Sequence, residues 1–88
     1  MTIDLPELPE TPDGVLPMWA IYDHPADFPQ LFVARLWHIV PGVPDPVNTE
    51  IVIGCPELAG LRKIFDRWGM VCLTRNDDDE AQIVETWF

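Results

Sequence analysis

Only one stretch of this chain, Pro56 to Gly69, carries the apolar spacing of an amphipathic helix. Leu58, Leu61, Ile64, Phe65 and Trp68 recur three and four residues apart. At about 100° per residue they fall within an arc of roughly 120°, the width of a stripe that faces a core. Pro56 suits a first helical turn, Glu57 suits the positive end of the helix dipole, and Gly69 suits a left-handed stop. The other apolar residues come in short extended runs. A single helix of this kind must therefore cover a sheet.

Five strands follow from alternation and from turn residues. Met18 to Asp23 sets Trp19 and Ile21 against Ala20 and Tyr22. Leu31 to Val40 is the longest candidate. Leu31, Val33, Arg35, Trp37 and Ile39 share one face, and Phe32, Ala34, Leu36, His38 and Val40 share the other. Both faces are mostly apolar, which suits a central strand. Glu50 to Ile53 is short and stops at Gly54. Met70 to Thr74 follows the helix with Val71 and Leu73 on one face. Gln82 to Phe88 closes the chain, with Ile83 and Trp87 on one face and Val84 and Phe88 on the other. Three prolines in Pro41 to Pro46 exclude a central strand there.

The order is β-β-β-α-β-β. The segment from Ile51 to Leu73 is long enough for a right-handed crossover, and the flanking pairs suit hairpins. The expected fold is α+β: a two-layer domain with a mixed, mainly antiparallel sheet and one helix packed on one face. The domain is expected to span residues 18–88. Residues 1–17 are read as an acidic, proline-rich tail. Pro6, Pro9 and Pro12 follow the period of a polyproline II helix, with Asp4, Glu7, Glu10 and Asp13 around them.

At 88 residues the chain holds one modest core. Its net charge of −10 opposes binding to phosphate backbones and to anionic membranes. No apolar run approaches the roughly 20 residues of a membrane helix. Met1-Thr2-Ile3-Asp4 does not open a secretory signal, so the cytoplasm is the expected compartment. Cys55 and Cys72 are expected to be reduced thiols.

Trp19-Ala20-Ile21-Tyr22-Asp23-His24-Pro25-Ala26-Asp27-Phe28-Pro29 resembles the opening of a group of small bacterial and prophage-type proteins. In these an aromatic strand runs into a His-Pro-x-Asp-Phe-Pro loop. Asn76-Asp77-Asp78-Asp79 followed by Ile83-Val84-Glu85-Thr86-Trp87 is similar to the same group, in which an acidic turn precedes an Ile-Val-Glu-x-Trp strand. The resemblance covers most of residues 18–88. It implies a shared fold unit and a bacterial or phage setting. The group has no assigned activity, so no catalytic residue comes with it.

Four constellations could carry chemistry. His24 lies between Asp23 and Asp27, a pairing that can orient a base or a metal ligand. The plainer reading is a capped turn. Cys55 stands where the helix N-cap is expected, where amides would favour a thiolate. With His24 or His38 nearby it would be a nucleophile, though no cysteine-protease signature accompanies it. Asp77, Asp78 and Asp79, with Glu80, could hold Ca²⁺ weakly, but lack the alternation and glycine of an EF-hand loop. On the helix, Arg62, Lys63 and Arg67 outnumber Glu57 and Asp66, so Pro56 to Trp68 carries +1 against −11 elsewhere. Such a face would suit the acidic tail or an acidic partner. Cations late in a helix also complement its dipole without any partner.

Nine aromatic residues are many for this core. If the helix covers one sheet face, the other is expected to expose some of them, with Trp19, Trp37 and Trp87 as candidates. No cofactor site is expected. The reading favoured is a non-enzymatic interaction module that binds a protein partner or itself. The alternatives are a small thiol- or His-dependent enzyme built on Cys55, and an acidic decoy that imitates nucleic acid.

Overall fold

The computed structural model describes residues 7–74 and 83–88. Five strands and one helix follow in the expected order: β1 Leu16–Asp23, β2 Phe32–Ile39, β3 Val47–Cys55, α1 Leu58–Arg67, β4 Cys72–Thr74 and β5 Ile83–Trp87. One helix lies on one face of a five-stranded sheet, an α+β fold in two layers.

Strand order corrects the expected crossover. The sheet runs β3-β2-β1-β5-β4, and every neighbouring pair is antiparallel. β3 and β4 occupy opposite edges. α1 therefore carries the chain from one edge to the other instead of linking adjacent parallel strands. The last strand inserts beside the first, which makes β1 central. Pro17, inside β1, pairs with His38 of β2 and lies before the start of the β5 pairing at Trp19. A proline is tolerated where one neighbour is missing. β1 begins two residues inside the stretch assigned to the tail. β3 starts at Val47, directly after the last loop proline.

Two irregularities decide which side chains share a face. β5 shifts register against β1 between Ile21 and Tyr22, so Glu85 pairs with Ile21 whereas Ile83 pairs with Tyr22. The shift carries Ile83 to the opposite face from Trp87, against simple alternation. β3 shifts against β2 between Arg35 and Trp37. There Glu50 takes φ 66, while the Thr49 hydroxyl donates to the Leu36 carbonyl at 2.8 Å and accepts from the Ile51 amide at 3.2 Å.

The core fills the layer between sheet and helix. Trp19, Ile21, Ala34, Leu36 and Trp87 meet Leu61, Ile64 and Phe65. Phe65 stands among Trp19, Trp68 and Trp87, with ring centroids 5.4, 5.7 and 5.5 Å away. The helix ends as its sequence suggests. Gly69 has φ 73, its amide donates to the Asp66 carbonyl, and the Met70 amide donates to that of Phe65. This pairing is a Schellman stop, which needs the left-handed residue that glycine supplies. Its start differs from expectation: Glu57 is the N-cap, with no side-chain capping bond, and Cys55 is the last residue of β3.

Candidate functional site

One of the three helix cations is used internally. The Arg62 guanidinium donates twice to the Glu85 carboxylate, at 2.9 and 2.9 Å. Glu85 is 7% exposed and also accepts from Trp87 Nε1 at 3.2 Å. Arg62 and these hydrogen bonds hold its carboxyl below the usual carboxylate range, against a smaller opposing effect of burial. Arg62 is thus a strut between helix and β5, not a free binding cation. Lys63 and Arg67 are exposed, and neither makes an ion pair among the described residues.

The thiol and the histidines do not assemble a reactive centre. Cys55 points beneath the first helical turn, where a Cβ on Gly60 would stand 3.3 Å from its Sγ. Burial pushes its pKa up, the opposite of an activated thiol. The expected helix-end stabilisation fails because the cysteine belongs to the strand and not to the cap. His38 pairs with Val47 while Cys55 pairs with Phe32, six residues away along β2. At about 3.3 Å per residue that is roughly 20 Å. His24 lies nearer, but its ring packs edge-on against Phe32 at 4.8 Å and its Nδ1 meets the Asp23 carboxylate. Among the described residues no hydrogen bond joins Cys55 to either histidine. We expect Cys55 to react with iodoacetamide at pH 7.5 more slowly than free cysteine does, since only the thiolate attacks. Faster alkylation than free cysteine would restore the thiol chemistry.

No cluster of three metal-ligating side chains occurs among the described residues. Asp77, Asp78 and Asp79 lie outside those residues. Asp27 forms an ion pair with Arg35, which lowers the Asp27 pKa, and so is engaged away from His24.

The tryptophan candidates divide. Trp19 and Trp87 are buried against the helix and present no surface to a partner. Trp19 alternates with Ala20 along β1, and the small residue takes the face away from the helix. Trp37 is half-buried on the opposite face, the one the helix leaves open. Ala20, in the central strand, makes the floor of a hollow there. It lies opposite Arg35 on β2 and Thr86 on β5. Met18, Tyr22, Trp37, Ile83 and Pro46 complete walls around about 260 Å³. Ala20, Ile83 and Pro46 were not among the expected site residues. A small residue amid large neighbours on a central strand was their signal, and the register shift in β5 concealed the place of Ile83.

The β1–β2 loop closes one end of this face. Arg35 lies over the Tyr22 ring, 5.4 Å from its centroid, and is held by Asp27 from the loop. Gly54 leaves room for Leu31, whose Cδ1 would stand 2.9 Å from a Cβ there. Val33, which pairs with Gly54, is buried on a face that has no helix. Toward the far edge, Leu73 is 52% exposed and Val71 64%. A second depression, about 360 Å³, is formed by the consecutive residues Asp27 to Leu31 and gathers no group from another element.

No protein-family model, curated protein or solved structure matches this chain. No helix among the described residues is long and apolar enough to cross a membrane.

Proposed function

We propose that this chain is a non-enzymatic interaction module whose open sheet face receives a protein partner. The observation that carries the reading is the division of the sheet. One face is filled by α1, whereas the other keeps Met18, Tyr22, Trp37 and Ile83 around the small Ala20 floor. Apolar and aromatic side chains around a concavity are the composition of binding surfaces, because covering them removes apolar area from water. The raised thiol pKa of Cys55 and its lack of a histidine partner weigh against the enzymatic alternative. The likeness to small bacterial and prophage-type proteins supports a bacterial or phage setting.

The test compares proteins of the native host retained by three immobilised forms of the chain. One is unaltered, one carries Met18→Gln with Trp37→Gln, and one carries Lys63→Gln with Arg67→Gln. Partners held by the unaltered chain should fall at least about tenfold with the sheet-face pair, the loss expected when about 1.4 kcal/mol of contact is removed. The helix-face pair should retain them. The reverse pattern would transfer the docking surface to the exposed helix cations. Circular dichroism and melting of each variant establish that the fold is kept.

A further inference from the structure

We infer that the occupant of the open face is a cationic segment carrying large apolar side chains, one of which enters the hollow over Ala20. The inference rests on the interaction reading above and names the chemistry of the partner. Its first basis is shape. A hollow of about 260 Å³ with a methyl floor takes one or two bulky apolar groups, and Met18, Trp37 and Ile83 offer them apolar walls. Its second basis is the placement of charge. Among the described residues Arg35 is the base of this face, and Asp27 neutralises it. Arg62 is spent on Glu85, and Lys63 and Arg67 belong to the helix in the other layer. Two acids close to this face in the chain make no ion pair among the described residues. Asp45 directly precedes Pro46 of the wall, and Glu50 sits at the β3 bulge on the sheet edge; both are exposed. A second copy would bring another −10 onto this one, so like charge disfavours self-association through the same surface. A basic segment gains from the same field.

Selection of random twelve-residue peptides displayed on phage against the immobilised full chain tests this. Enriched peptides should carry net positive charge and at least two large apolar residues. Their binding should fall at least about tenfold with Ala20→Leu, which fills the floor, and with Trp37→Gln plus Ile83→Gln, which removes the walls. A synthetic enriched peptide should bind severalfold more weakly to Asp45→Asn plus Glu50→Gln in low salt, with the difference shrinking as salt screens it. Neutral or acidic peptides that still depend on Ala20 would overturn the cationic assignment and leave the docking face standing. Enriched peptides indifferent to both Ala20→Leu and the wall variant would overturn the docking face itself. Sedimentation of the chain alone reads the remaining case: a dimer broken by the wall variant makes a second copy the occupant and sinks the inference. Melting curves identify any variant that fails to fold, and the wall and floor variants then serve in place of one another.

Discussion

Phe65→Ala should destabilise the domain by about 3–5 kcal/mol, the usual cost of emptying a phenylalanine site in a packed core. Phe65 is fully buried and touches three of the four tryptophans. It is the side chain through which the helix grips both β1 and β5. Removing it opens a cavity whose walls are rigid rings, which relax poorly into the space. In a domain this small each kcal/mol moves the midpoint by about 4–8 °C, so the melting temperature should drop by at least about 12 °C. A stability near the bottom of the ordinary range of about 5–15 kcal/mol would leave much of the variant unfolded at room temperature. Phe65→Leu separates volume from ring contacts. It keeps most of the filling and loses aromatic pairings worth about 0.5–1.5 kcal/mol each, so it should fall between the alanine variant and the unaltered chain. Thermal unfolding followed by circular dichroism, with tryptophan emission in parallel, gives the answer. A midpoint shift below about 5 °C for the alanine variant would mean that the helix is not the lid of this core.

The tightness of that layer explains why its elements could be read in advance. Leu61, Ile64 and Phe65 were legible because a helix facing a sheet has one buried stripe, and the stripe repeats locally in sequence. Gly69 was legible because a left-handed stop favours one residue type. Trp19 and Trp87 were harder. A tryptophan advertises burial and binding equally, and only the pairing of β5 beside β1 places both under the helix. That pairing joins residues nearly seventy positions apart, so no local pattern contains it. The edge-to-edge path of α1 is hidden for the same reason: the crossover length permits adjacent or distant strands alike.

The candidate site shows the same division. That Trp37 shares a face of β2 with Val33 and Arg35 followed from strict alternation, which needs no partner strand, whereas which face lies open did not. Ile83 did not, because the register shift at Ile21 and Tyr22 belongs to the pairing of two strands. Cys55 failed at a boundary of two residues. Read as a cap it would have been an activated thiol; as the last residue of β3 it is half-buried beside Gly60, and its proton is held more tightly. The ion pair of Arg62 with Glu85 was missed because the basic helix face was weighed against the acidic tail and nearby Asp66. The partner came instead from β5, the strand inserted between β1 and β4.

That ion pair yields the second large effect, a change in how stability follows pH. In the folded chain Arg62 holds the Glu85 carboxyl below its ordinary value, so the unfolded chain takes up this proton first as acid is added. Stability from the pair is therefore complete above the unfolded value, about 4.3, and is lost as pH falls through the lower folded one. Arg62→Met keeps the apolar stem and deletes the charge. Glu85 then remains 7% exposed, with Trp87 Nε1 still donating but no cation beside it. Burial is then opposed only by the hydrogen bonds from Trp87 and Cys72, so the Glu85 pKa rises above its value in the unaltered chain and this group's share of the acid sensitivity shrinks. The stranded carboxylate should cost about 2 kcal/mol at pH 7, below the figure for a fully enclosed pair because the arginine end of this one lies at the surface. The difference between the variant and the unaltered chain should be largest at neutral pH and shrink as acid protonates Glu85, first in the variant and then in the unaltered chain. Adding Glu85→Gln to Arg62→Met should recover part of the loss at pH 7, because an amide keeps an acceptor for Trp87 without the buried charge. Urea unfolding of the single and double variants across pH 3 to about pH 8 measures each term. A loss independent of pH, unrelieved by Glu85→Gln, would reduce the pair to simple packing of the arginine stem against β5.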